Sequence, residues 1–368
     1  MQQIIRYSLL VILLVMIAAP ANARKRSYPT TEWGLRVSIG ALYNDNLLRF
    51  SDADIDRFET YDDRFATPME TIDDFESEYS VRPSIRWRAP LNLMVDGYYN
   101  FKAVLRSSNT FTDYQTHTLS ASVRPRVRGY NWTVQYRAFR IPSYYLRVYR
   151  DRDYNEQHAA RFMNWDHAVQ FDYRVRSDFW LTLGAGYGTY YYNEKFTEYD
   201  SEYSEGTIGT RCYLPAEIGL SASYTRRISD NVGKDQPFTP QFNPESSPIE
   251  EDSEYGDADF NEDEFRIRAK RHLDFIKISN VDASLSYRLR RRVYTTDRSL
   301  TDDPFHRGRL DNRYEISPAI DIALNKRFNV GLYYLHEERE TESDNEAVIS
   351  AKDFVRREYG MTLTVNVR

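Results

Sequence analysis

Basic residues recur at every second position in several stretches of this chain, and that spacing is its first chemical signal. Arg266, Arg268 and Lys270 form one run, and Arg288, Arg290 and Arg292 a second. Arg82, Arg86 and Arg88 belong to a third, and Arg124 and Arg126 to a fourth. In an extended strand, residues two apart share a face. Each run therefore projects its cations to one side, while Ile267 and Ala269, Leu285 and Tyr287, or Val81, Ile85 and Trp87 point to the other. A row of fixed cations backed by an apolar face can steer or hold anions along a polar surface. The same parity adds Arg36, Lys102, Arg137, Arg174, Arg211 and Arg356 to the polar face. Acids share it: Asp96, Asp166, Asp172, Glu205, Asp282 and Glu358 are spread out, and Glu315, Asp321 and Glu337 gather beside the basic runs of 266–270 and 288–292. A basic arc beside an acidic arc gives a transverse field. The blander alternative is that the groups pair across strands and only keep the surface polar.

Other constellations say less. The six histidines, His117, His158, His167, His272, His306 and His336, show no triad spacing with a nucleophile and a carboxylate, so catalysis is not expected. Gly184, Gly186 and Gly188 alternate within a strand rather than in a strand-to-helix turn, which argues for close packing or an inserted loop and not for a phosphate cradle. Asp52–Asp56 and Asp257–Asp263 place oxygens at alternate positions in a faintly calcium-like way. Neither has Gly where the calcium loop turns, so solvated acidic loops are expected, with no metal and no cofactor. Cys212, the single cysteine, excludes an intramolecular disulfide and a cysteine-based zinc site, and by parity it lies on the apolar face.

The elements that must position these groups follow from the same alternation. Fourteen stretches read apolar–polar with a period of two, from about Trp33–Tyr43 to Val355–Arg368. The connections alternate as well. Long ones fall near 44–77, 106–114, 145–160, 192–202, 228–262, 295–310 and 339–353, with short turns between. Residues 1–23 read as a signal peptide, with Arg6 before the apolar run Leu9–Ile17 and Ala21-Asn22-Ala23 as the cleavage site; an uncleaved anchor is the rival. That run is far below the ~20 residues of a spanning helix, and mean hydropathy is −0.68. Thirty tyrosines suit interfaces between an apolar wall and headgroups. The expected fold is all-β: one up-and-down antiparallel transmembrane barrel over 24–368, with short periplasmic turns and long extracellular loops. A soluble propeller or sandwich is the alternative. Trp33, Trp87 and Trp132 would mark one membrane interface, and Tyr43 and Tyr191 the other. The loop 228–262 carries a run of acids and is expected to sit outside or to fold into the mouth.

The exit of the first strand, Ile39-Gly40-Ala41-Leu42-Tyr43-Asn44-Asp45-Asn46, resembles the start of the outer-membrane β-barrel porins of the second type. Members often open with a strand ending Tyr-Asp-Ser/Asp-Asn. The chain departs from them in ending Val367-Arg368 where many end in Phe, the residue read by the barrel-assembly machinery. The resemblance implies pore-like architecture in a Gram-negative outer membrane, with membrane lipid and that machinery as partners. Combined with the charge pattern, it leads to an expectation of passive passage for hydrophilic, anionic solutes or saccharides. A component of exopolysaccharide export or envelope assembly is the alternative, and a surface enzyme the remote one.

Overall fold

The computed structural model describes residues 31–367, apart from 63, 64, 66, 91, 127–130, 152–155, 234–256, 274–279, 301 and 302. The expected signal peptide and most of the 228–262 loop lie outside the described residues. Fourteen strands follow one another: β1 (Thr31–Asn44), β2 (Asp74–Ala89), β3 (Leu93–Arg106), β4 (Tyr114–Pro125), β5 (Trp132–Asp151), β6 (Glu156–Arg176) and β7 (Phe179–Tyr192). Then come β8 (Ser201–Leu214), β9 (Ile218–Asn231), β10 (Phe260–Leu273), β11 (Asn280–Tyr294), β12 (Leu310–Ala323), β13 (Phe328–Glu342) and β14 (Phe354–Val367). Each pairs antiparallel with its sequence neighbours, and β1 pairs with β14 to close the ring. Closure is what lets a sheet cross lipid, because no edge is left with unpaired N–H and C=O groups.

The parity of the sequence becomes the two sides of the wall. Ile208, Leu285 and Met361 on the outside are at least half exposed, as are Trp33 and Phe75 near the two ends of the strands. Such a band of exposed apolar side chains is sensible only against lipid. Tyr43 packs on Phe75 with ring centroids 5.1 Å apart, and Tyr334 on Tyr359 at 5.0 Å, forming an aromatic girdle at the loop end. Among the described residues, no helix is long and apolar enough to cross a membrane.

Two differences from the sequence reading have local causes. The segment 145–160, expected as a long loop, is mostly strand, because β5 and β6 continue past their neighbours. Their ladder shifts register between Ile141 and Tyr144, where Pro142 cannot donate, and again between Tyr145 and Val148. A proline at a bulge keeps a strand running while breaking the strict alternation. The acidic segment Asp52–Asp56 opens a helix, α1 (Asp52–Glu59). Ser51 caps it by accepting from the Asp54 N–H, and Asp52 and Asp54 sit in the first turn, where the helix dipole favours acids. Asp54 is buried against Arg57 and Arg147 instead of forming a calcium loop.

Aspartates finish most loops by accepting backbone N–H groups from the adjoining strand end. Asp113 accepts from Arg106, Asp200 from Tyr192 and Asp353 from Thr341. Burial pushes all three carboxyls above the usual range, and these donors partly counter the shift.

The wall assignment gives a direct test. Leu285→Arg puts a cation on the lipid face, where it costs about 2–4 kcal/mol at mid-membrane. We expect reduced yield of the heat-modifiable, β-rich form on refolding into vesicles, whereas Ser286→Arg, on the inner face, should refold normally. Equal refolding of the two would reverse the facing of β11.

Candidate functional site

The interior divides into a crowded loop-side half and a more open turn-side half. Loop 45–73, between β1 and β2, builds its own core: Leu47, Phe50 and Met69 are buried, with Leu48, Ile55, Phe58, Phe65, Ile72 and Phe111 packed around them. This unit is tied to two distant parts of the ring. On one side Arg49 Nε donates to Glu337 on β13 at 3.2 Å, and Asn46 donates to the Val355 carbonyl on β14. On the other, Arg147 of β5 meets Asp54 at 3.1 Å and lies over the Phe50 ring. Passing from β13 through β14, β1, β2, β3 and β4 to β5 takes six steps around a ring of fourteen, so the loop crosses the mouth near a diameter. This loop folds across the mouth; most of 228–262, the segment the sequence had suggested for the outside or the mouth, lies outside the described residues.

Glu337 is the anchor of that crossing. It is 1 % exposed, and three guanidinium groups converge on it, from Arg49, Arg313 and Arg356, the last at 3.0 Å. Arg49 adopts a left-handed backbone conformation, φ 58°, which a non-glycine residue takes at a cost of about 1–2 kcal/mol. Burial alone would lower its pKa, but the adjacent Glu337 carboxylate more than offsets this and holds the pKa above its ordinary value. A short helix, α2 (Glu346–Lys352), packs beside α1, and Arg339 donates to the Lys352 carbonyl. Loops 193–200 and 295–309 meet through the Tyr199 and His306 rings.

The interior also holds a polar cavity of about 1200 Å³, walled mainly by β5–β11. The sequence-derived basic runs of β10 and β11 meet there: Arg266, Arg268, Lys270, Arg288 and Arg290 line it. All but Arg268 are paired with acids. Arg288 and Arg290 bind Glu315 at 3.0 and 2.6 Å, Lys270 binds Asp282 at 2.9 Å, and Arg266 binds Glu264 at 3.0 Å. Arg292 lies deeper, bidentate on the buried Glu262. Converting Arg288, Arg290 and Arg292 to Glu would set new carboxylates against Glu315 and Glu262, so charge inversion there acts on folding as well as on selectivity. Among the acids, Glu315 and Glu337 are buried in these networks, while Asp321 is exposed, opposite Asp282 across the β11–β12 ladder. On the far wall Arg86 and Arg124 share Asp96, at 2.6 and 3.3 Å, and Arg82 stacks on Tyr98. Arg126 stands just beyond β4, its N–H bound to the Asn92 carbonyl at the rim.

The glycine series on β7 has a packing role. The β8 side chains Thr207, Glu205 and Tyr203 lie across Gly184, Gly186 and Gly188. With no side chain in the way, the Tyr203 hydroxyl spans β7 and donates to Asp166 on β6 at 3.0 Å, and Arg137 holds the other Asp166 oxygen. The histidines have structural partners: Tyr99 bonds His117 and Tyr136 bonds His167 on the outer face, and Lys270 and His272 share Asp282. No group of metal-ligating residues occurs among the described residues.

No protein-family model matches this chain. No curated protein matches it either. Solved structures do share its outline. An anion-selective porin from Comamonas acidovorans aligns over 91% of this chain and 99% of its own, with a TM-score of 0.40 and 9% identity. OmpT, an outer membrane protein of Vibrio cholerae, aligns over 92% and 100% with a TM-score of 0.44 and 8% identity. A structure described as a bacterial polysaccharide outer membrane secretin aligns over 91% and 98%, with a TM-score of 0.40 and 9% identity. Likenesses this loose carry no argument about activity. The barrel rests on its own closed ladder.

Two substitutions test the interior. Glu337→Gln leaves buried guanidinium groups without their carboxylate, and losing one partner of such a network costs about 3–5 kcal/mol. Urea unfolding in detergent micelles should show a loss of that size; a change below about 1 kcal/mol would remove Glu337 as the anchor. Gly188→Ala brings a methyl group onto the Tyr203 ring and within 2.7 Å of the Trp165 carbonyl, whereas Gly206→Ala meets open space. The first should lower the unfolding midpoint and the second should not. Equal midpoints would deny the bridge across β7.

Proposed function

We propose that the protein is an outer-membrane channel for passive passage of small hydrophilic solutes, with a preference for anions, narrowed on its loop side by loop 45–73. The observation that carries this reading is the polar cavity of about 1200 Å³ inside a closed barrel whose outside is apolar. A wall of this kind separates lipid from water, and a polar space within it gives a hydrated solute somewhere to go. The short turns would face the periplasm, the longer loops the exterior of a Gram-negative cell. Membrane lipid and the assembly machinery that inserts such barrels are the partners this location implies. The strand-one likeness to porins of the second type agrees with this reading. The solute class is a small anion or an acidic saccharide, since cations outnumber acids around the cavity: eight Lys and Arg against six Asp and Glu. An enzymatic role is not part of the reading.

The test is conductance of the purified protein in planar bilayers. Steady single-channel steps with modest anion selectivity are expected, and selectivity should weaken from 0.1 M to 1 M salt as the screening length falls from ~10 to ~3 Å. A barrel that inserts and never conducts would overturn the channel. Freeing the crossing loop with Arg49→Gln and Asp54→Asn should raise single-channel conductance if the loop narrows the path; unchanged conductance would place the constriction elsewhere.

A further inference from the structure

The charges inside the barrel are not neutralised evenly. In the loop-side half nearly every inward arginine grips a carboxylate, as in the sets around Glu337, Glu315, Glu262 and Glu205. In the turn-side half two patches have arginines and no acid. On β1 and β2, Arg36 and Arg82 stand directly opposite each other in the ladder. Arg36 donates to Asn366 at 3.1 Å, and Arg82 lies 3.5 Å from the Tyr98 ring centroid. Around them on the same face are Ser38, Thr364 and Ser80, hydroxyls that pair with one another or with Asn100. On β8 to β10, Arg211 and Arg268 flank Ser221 in one cross-strand row. That row continues through Ser286 to Ser317. Arg211 lies over the Trp180 ring, and Arg268 is 3.5 Å from the Ser284 hydroxyl. Among the described residues, none of these four arginines meets a carboxylate.

Like charges directly opposite in a sheet repel, and a lumen that merely needed to be polar would be better served by the acid–base pairing found higher up. An amide, rings or a hydroxyl hold one side of each guanidinium and leave other N–H groups for a ligand, since an arginine carries five. These donors are suited to planar or tetrahedral oxyanions. The patches also face each other: β1 and β8 are seven steps apart in either direction around the ring of fourteen.

We propose that Arg36 with Arg82, and Arg211 with Ser221 and Arg268, are two oxyanion-binding sites on opposite walls of the turn-side lumen, and that they set the anion preference of the channel. The inference rests on the channel reading for its purpose but not for its test. The ligand chemistry is the oxyanion itself, borne as a carboxylate or as a phosphate. A multivalent anion entering from the turn side meets one pair or the other before it reaches the network around Glu337, Glu315 and Glu262. Apart from Arg268, the basic arc on β10 and β11 is committed to Glu264, Asp282, Glu315 and Glu262 and contributes mainly structure.

Calorimetric titration of the detergent-held full-length barrel with citrate, and separately with inorganic phosphate, reads the sites whether or not current flows. Losing a charge-assisted hydrogen bond is worth about 1.5–3 kcal/mol, or roughly tenfold to a hundredfold in affinity. We expect Arg36→Gln with Arg82→Gln, and Arg211→Gln with Arg268→Gln, each to remove one set of sites at least tenfold in affinity, and the fourfold variant to remove both. Arg176→Gln, an exposed arginine at a turn, should change nothing. Citrate binding without phosphate binding marks a carboxylate site, and the reverse a phosphate site. Each variant is first shown to be folded by its heat-modifiable mobility; the patches have no carboxylate to orphan, so folding should survive. Binding equal in the fourfold variant and the parent, or no binding of either anion to the parent, overturns the sites. In bilayers the fourfold variant should lose anion preference while still conducting. Retained preference also overturns the inference, whereas absence of any current counts against the channel and leaves the titration to decide the sites.

Discussion

The β1–β14 ladder is the interaction on which everything else depends. It is one strand pair among fourteen, yet without it the sheet would leave two rows of unpaired backbone groups in hydrocarbon. Closing the ring satisfies the backbone and also fixes an inside and an outside for every residue. Arg36, Arg211 and Glu337 can be charged within the membrane because the closed wall gives them an aqueous or paired interior. The alternation along each strand has meaning only after closure.

Two kinds of interior follow from that constraint. Toward the loops, arginine and carboxylate side chains lock into a network around the buried Glu337, Glu315 and Glu262, where each buried charge is tolerable because several partners share it. Toward the turns, Asp96 still gathers Arg86 and Arg124, but around Arg36, Arg82, Arg211 and Arg268 amides, hydroxyls and aromatic rings are the neighbours instead of acids. The chain thus uses one residue type for two purposes, and its neighbours decide which.

How much of this could be read from the sequence depends on range. The strands were legible, because period-two alternation is local: Val81, Pro83, Ile85 and Trp87 announce their face without reference to any other strand. The inward parity of Arg266, Arg288 and Glu315 followed at once. What those groups bind did not, since the Arg290–Glu315 pair depends on the register between β11 and β12, which alternation alone does not fix. The folding of loop 45–73 was hidden for a different reason. Its acids looked like solvated ligands until the Ser51 cap and the buried Asp54–Arg147 contact supplied a helix and a partner. The β5–β6 extension was missed because Pro142 and two register shifts break the alternation where the strands continue. The glycines of β7 announced close approach, and the tyrosine they admit came from the next strand.

The crossing loop also bears on how the barrel is made. Its partners Glu337 and Val355 lie 288 and 309 residues away along the chain, on the last two strands. Contacts so remote must overcome a large loop-closure entropy unless other pairing has already brought the ends together. The Arg49–Glu337 bond therefore forms after β1 has met β14, and its formation staples the seam from inside. The most vulnerable joint of a closed sheet, where the first and last strands meet, thus has a second fastening.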